Sequence, residues 1–192
     1  EDFFKSFGLD PSKKLILLTI PSDIWTGDTS LNQCLLNMFS KLGEQVIVRF
    51  PLFGKVDIGD FKPSLGMVFD NPYNSDRLEE SKLSIDDDDH LADLIYYSDV
   101  VVTGPSSIIL DASIFNKPVA LIGFDGGKAR PYWQSMARYY DYEHQQSVIT
   151  LGKMEVAKNK DQLLSLVSKY LADPNLNKDS QRAVAESICF KL

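Results

Sequence analysis

DVVVTGPSSIILDASIFNKPVALIGF, residues 99–124, holds the pattern on which the fold turns. Val100, Val101 and Val102 form a short continuous apolar run, as in a strand covered on both faces of a parallel sheet. A polar turn follows, then an apolar helix over 105–115 and a strand over 118–123. Pro105 suits the first helical position, where its missing N–H costs nothing, and Gly104 lets the backbone turn sharply before it. The free N–H groups of Ser106 and Ser107 then stand at a helix N-terminus, whose dipole favours an anion, phosphate first among them. Asp111 lies four residues beyond Ser107, on the same helix face and about 6 Å further along. That offset suits a sugar hydroxyl better than a phosphate. An ordinary capped helix with a solvated Asp111 has the same spacing.

The flanking chain alternates strands and helices. Phe3, Phe4 and Phe7 mark a short apolar helix ending at Gly8, and Leu15 to Ile20 is the first strand. Ser30 opens a helix with Gln33 at the capping-box position. Its apolar residues Leu31, Cys34, Leu35, Met38, Phe39 and Leu42 keep one face before Gly43 ends it. Gln45 to Phe50 and Gly66 to Asp70 are further strands, and Asp89 is placed to cap a helix over 90–97. The tail predicts a helix at Pro131 to Tyr140, an extended piece near Val148 to Leu151 and a helix at Lys160 to Ala172 capped by Asn159. A last helix covers Lys178 to Cys189. Repeated units of this kind imply an α/β fold, a Rossmann-like parallel sheet with helices on both faces.

With 192 residues, 44% of them apolar and 24% charged, the chain supports one sizeable core, so residues 1–192 read as a single domain. A net charge of −7 without clustered Lys and Arg argues against a nucleic-acid surface. No run of about eighteen apolar residues exists to span a membrane, and no signal peptide is visible. Cys34 and Cys189 lie far apart without metal-type spacing and read as reduced core residues, which suits a cytoplasmic protein. Asp86 to Asp89 read as a solvated helix start, because adjacent carboxylates point in different directions and do not converge on a metal. Neither a metal nor a cofactor is expected.

Ligands of such sheets bind at the carboxyl ends of the strands. The loop Pro21 to Asp28 brings Ser22, Asp23, Trp25, Thr26 and Gly27 there, an assortment common in any loop. Arg49 ends the second strand, where its guanidinium would either neutralise a diphosphate or sit in a surface ion pair. His90 either touches a ligand or caps its helix. The turn Gly123 to Lys128 offers Asp125 to hydroxyls and Lys128 to phosphate, or is simply a tight exit from the strand. Tyr139 to His144 form an aromatic, acidic cluster that reads as a seam against a partner domain or acceptor, or as a packed helix end. The two histidines assemble no nucleophile, base and orienter set.

The stretch Thr103, Gly104, Pro105, Ser106, Ser107, then Asp111, then Asn116, Lys117, Pro118, Phe124 and Asp125 resembles the donor-binding motif of GT-B glycosyltransferases. It is most similar to that of the CDP-glycerol glycerophosphotransferases of teichoic-acid and capsule synthesis. The loop Pro21 to Asp28 likewise resembles the donor-phosphate loop of GT-B enzymes. The resemblance implies the C-terminal half of a GT-B fold that binds a CDP- or UDP-linked nucleotide-diphosphate donor and moves a glycosyl or glycerophosphoryl group in cell-envelope synthesis. It implies donor-phosphate binding by Thr103, Gly104, Ser106, Ser107, Arg49 and Ser22, and ribose binding by Asp111. His90, Asp125, Lys128 and Trp25 would be further donor contacts. A complete GT-B enzyme has two such domains, so an N-terminal acceptor domain of the same enzyme is the implied partner, in a cytoplasmic or membrane-peripheral whole. Two departures stand out. Gly104-Pro105 replaces Asp-Tyr, and VIVRFP, residues 46–51, keeps Arg49 but has Phe50 and Pro51 where such transferases carry a functional histidine. No catalytic residue is assigned. A GT-B-like nucleotide-sugar epimerase and a non-catalytic nucleotide-binding module are the alternatives.

Overall fold

Five short apolar runs and one two-residue segment become the strands of a single sheet. The computed structural model describes residues 2–52, 54–72 and 85–189. The strands are β1 (Leu15–Thr19), β2 (Gln45–Arg49), β3 (Met67–Asp70), β4 (Val100–Thr103), β5 (Val119–Ile122) and β6 (Val156–Ala157). All pairings are parallel and the spatial order is β3-β2-β1-β4-β5-β6, so the direction of winding reverses between β1 and β4. Leu18 pairs with Val48 on one side and Val102 on the other.

Alternate strand residues feed two separate cores, which is why the strands read as unbroken apolar runs. Ile16, Leu18, Val46, Val48, Val100 and Val102 face α3 (Ser30–Phe39) and α7 (Lys160–Ala172). Leu15, Leu17, Ile47, Val101, Val119 and Leu121 face α4 (Ile85–Tyr97), α5 (Ile108–Ile114), α6 (Glu143–Gly152) and α8 (Lys178–Val184). Two short helices, α1 (Asp2–Ser6) and α2 (Asp23–Thr26), complete the set, and Phe3 and Phe4 of the first, with Phe7 just beyond it, pack against the second core. The parallel α/β sheet and most elements stand where the sequence puts them, including α7 with the Asn159 side chain accepting from the Gln162 amide. Among the described residues, no helix is long and apolar enough to cross a membrane.

Several local expectations are corrected. The helix expected over 105–115 begins at Ile108, because the Ser106 hydroxyl accepts from the Ile108 amide and holds 105–107 in a turn ahead of it. Pro105 is therefore outside the helix. α4 starts at Ile85, so Asp87 to Asp89 lie within its first turns and Asp89 is no cap, while the Asp86 side chain lies outside the described residues. The capping box at Ser30 does not form; Asp28 instead accepts from both the amide and the hydroxyl of Ser30. Pro131 to Tyr140 is no α-helix but two 3-10 turns, broken at Ser135, whose hydroxyl accepts from the Ala137 amide. Val148 to Leu151 is helical within α6, its β-branched residues overridden by packing of Val148 and Ile149 on the second core. The extended piece falls later, at β6. Cys34 and Cys189 are free but half-buried rather than fully within a core.

The turn after β5 is seated against α3. Gly126 has φ +70° and a Cβ there would lie 2.5–2.7 Å from backbone atoms of Ser30 and Leu31, whereas at Gly127, φ +98°, the nearest atom is 4.0 Å away. Gly127→Ala should therefore cost about 1 kcal/mol for its backbone conformation alone. Gly126→Ala should cost about 1–3 kcal/mol more, because rigid backbone must move as well. Urea unfolding of both variants tests this, and equal midpoints would contradict the packing difference.

Candidate functional site

The carboxyl ends of β1, β2 and β4 open into one cleft of about 640 Å³. Its floor is polar. The Thr19 hydroxyl donates to Thr103 Oγ1 at 2.7 Å, and Thr103 Oγ1 lies 3.3 Å from Ser106 Oγ, so three hydroxyls run across the junction of β1 and β4. Thr19 was not singled out by motif, because a threonine ending an apolar strand carries no signal in one dimension. Thr103, Gly104, Ser106 and Ser107 line one side, and Ser22 and Trp25 of the first loop line another. Gly104 is not in the left-handed region; its lack of a side chain makes room instead, since a Cβ would approach Met136 Cε to 3.1 Å. The sharp bend expected there is present over 104–106, reached without a positive φ.

Ser22 is buried and already engaged, its hydroxyl donating to the Lys55 carbonyl and accepting from the Ile24 amide. Trp25 stays exposed and meets Tyr139 edge to face, with ring centroids 6.2 Å apart. Half of the expected aromatic seam, Tyr139, Tyr142 and His144, forms cleft wall, and Gln145 just beyond it lines the cleft too. The Gln145 Oε1 atom is buried without a hydrogen-bond donor among the described residues, leaving an acceptor that a ligand hydroxyl or amino group would satisfy.

Arg49 lines the cleft but is buried, 4% exposed, so it is no surface ion pair. Its Nη1 donates to Asp70 Oδ2 at 2.5 Å across the β2–β3 register, and Asp70 Oδ1 lies 2.9 Å from His90 Nε2. One carboxylate thus holds the guanidinium in place. His90 sits in the second turn of α4 behind that carboxylate and does not line the cleft.

Three other anticipated residues lie elsewhere. Asp111 is half-buried and does not line the cleft; no described group donates a hydrogen bond to it. Burial, and then the like charge of Asp88, hold its carboxyl above the ordinary value. Asp125 and Lys128 line a second concavity at the ends of β5 and β6. Asp125 accepts from the Met136 amide at 2.8 Å and so anchors the turn whose side chain packs beside Gly104. Lys128 pairs with Asp28 at 2.8 Å, and Arg130 pairs with the same carboxylate at 2.7 Å. Hydrogen bonds from Lys128 and then Ser30 hold Asp28 well below the usual carboxylate range.

Comparison with known proteins places this geometry in context. Residues 67–190, from β3 to the C-terminal helix, match the family described as CDP-glycerol:poly(glycerophosphate) glycerophosphotransferase. No curated protein sequence matches the chain. Among solved structures, a glycosyltransferase of kitacinnamycin superposes with a TM-score of 0.55 at 14% identity, over 92% of this chain and 39% of that one. The glycosyltransferase VinC, determined in complex with dTDP, gives 0.51 at 14% identity, over 94% and 39%. These likenesses show a glycosyltransferase-like fold, and the chain spans about two-fifths of the length of either enzyme.

Two stability predictions arise here. Asp70→Leu leaves Arg49 buried without its carboxylate and should lower stability by about 3–5 kcal/mol, whereas the double variant Arg49→Met with Asp70→Leu should recover most of the loss. Denaturant unfolding of the pair gives the comparison; an equally unstable double variant would contradict it. Because Asp111 is harder to ionise when folded, its penalty appears as pH rises through the unfolded carboxylate value near 3.9. Asp111→Asn should thus stabilise the protein at pH 7 and give no gain below about pH 3.5. Identical unfolding curves at pH 7 would count against this account.

Proposed function

The chain belongs to the CDP-glycerol:poly(glycerophosphate) glycerophosphotransferase family, and from that premise we propose that it is the donor-binding domain of a two-domain transferase. The donor is a CDP-linked glycerophosphoryl group, consumed in the building of a cell-surface polymer, with an N-terminal domain of the same enzyme supplying the acceptor side. The observation that carries this reading is the convergence of two separate loops, 21–28 and 103–107, with Arg49 on one cleft where the sheet reverses its winding. Open α/β sheets bind nucleotides at that position.

Ser106 and Ser107 offer hydroxyls to the donor phosphates, and the fixed guanidinium of Arg49 offers positive charge beside them. Trp25, Tyr139 and Tyr142, packed edge to face, give the nucleoside an aromatic wall, and the Gln145 Oε1 accepts from a ribose hydroxyl or a base amino group. Ribose binding by Asp111 requires its side chain, which does not line the cleft, to reach it. In transfer, an acceptor hydroxyl oxygen bonds to the phosphorus bearing glycerol, the P–O bond to the CMP phosphate breaks, and CMP leaves with the electron pair. The hydroxyl proton passes to a base outside the residues assigned here. This domain's share is to position the diphosphate and to stabilise charge on the departing CMP phosphate.

Calorimetry on the 192-residue chain tests the reading directly. CDP and CDP-glycerol should bind, and Ser106→Ala or Ser107→Ala should each weaken binding by about 0.5–1.5 kcal/mol with the fold retained. No heat of binding at millimolar CDP with a folded sample would overturn the donor-domain assignment.

A further inference from the structure

The second concavity carries more positive charge than the fold requires. It measures about 530 Å³ and lies at the ends of β5 and β6, between the loop 123–130 and the start of α7. Lys128, Arg130, Lys158 and Lys160 line it, against only Asp125 and Asp161, in a chain whose net charge is −7. Asp125 is committed to the Met136 amide. Lys128 and Arg130 share a single carboxylate, Asp28, and the Arg130 Nε–H has no acceptor among the described residues. Lys158 and Lys160 are exposed and form no ion pair with a described carboxylate. Cations gathered this way on an acidic chain repel one another until an anion joins them.

We propose that this concavity holds the phosphodiester backbone of the growing polymer, separately from the donor cleft. The assignment rests on the transferase reading for the identity of the polymer; the charge and shape of the site stand apart from it. A single phosphate needs one or two of these cations, and their spread over two segments of chain fits successive phosphates of one strand. No exposed aromatic ring lines the concavity to stack a base, which favours a glycerol phosphate chain over single-stranded nucleic acid. Both concavities open on the carboxyl edge of the same sheet, so a polymer held at the ends of β5 and β6 would be retained beside the donor at β1 and β4 between rounds of addition.

Binding of a fluorescent glycerol phosphate octamer by the 192-residue chain is the test, with sn-glycerol 3-phosphate, an oligodeoxythymidylate of equal charge and CDP measured on the same samples. The octamer should bind far more tightly than glycerol 3-phosphate and no less tightly than the oligodeoxythymidylate. The double variant Lys158→Gln with Lys160→Gln should weaken the octamer about tenfold or more at low salt, lower the salt slope of its affinity by about 1.5 and leave CDP binding unchanged. Lys13→Gln with Lys62→Gln removes the same charge elsewhere on the surface and should have little effect. An octamer that fails to bind while CDP binds, that is equally weakened by both double variants, or that is outcompeted by the oligodeoxythymidylate overturns the polymer site. Loss of CDP binding alone, with the octamer still sensitive to Lys158 and Lys160, overturns the donor assignment instead.

Discussion

Everything at the candidate site depends on β1 and β4 lying side by side with both of their faces buried. Leu18 and Val102 are paired neighbours, and neither strand has a solvated face on which its chain might continue. Each strand ends in a threonine, and the two hydroxyls close the seam at 2.7 Å. Beyond it the chains must part. After β1 the chain passes to α3 on one face of the sheet, and after β4 to α5 on the other. Parting in opposite directions leaves a gap above the seam, and the cleft is that gap. Its polar floor and apolar walls follow from the same fact, since the last strand residues are the first that water reaches.

The groups around the gap are fixed by partners set one layer behind them. Asp70 orients Arg49 and is itself met by His90 on α4. Asp125 holds the turn that presents Met136, whose terminal methyl packs close against the side-chain-free position 104. The Tyr140 hydroxyl donates to the Ile122 carbonyl and ties the same aromatic stretch to the end of β5. A buried ion pair such as Arg49–Asp70 adds little net stability over an apolar pair of equal size. Its effect is geometric: the guanidinium is held at the cleft with little side-chain freedom left to lose.

Charge is distributed unevenly along the carboxyl edge. At β1, β2 and β4 the one arginine lining the cleft is balanced by Asp70, no other lysine, arginine or carboxylate among the described residues lines it, and the walls are mostly apolar. At β5 and β6 the cations outnumber the carboxylates. Asp28 spans the two regions, joining the first loop to Lys128 and Arg130 of the loop after β5.

Short-range chemistry was legible in the chain itself. Runs such as Val100 to Val102 are too apolar for one solvated face, so a parallel sheet with two covered faces was readable from hydrophobic pattern, as was α7 from its periodicity and its Asn159 cap. That the turn at Thr103 to Ser107 and the loop at 21–28 lie together at a cleft was legible because the carboxyl ends of strands in such sheets share one edge. Pattern failed where neighbours distant in sequence decide the outcome. Val148 to Leu151 has strand-forming residues but packs as a helix on the second core, and Arg49 is buried rather than at the surface because β3 places Asp70 opposite it. The absence of Asp111 from the cleft lining, the pairing of Lys128 with Asp28 and the use of Tyr139, Tyr142 and His144 as cleft wall were likewise decided only in three dimensions. Periodicity tells which side of a helix is apolar, while the group that a polar side chain meets depends on contacts between segments tens of residues apart.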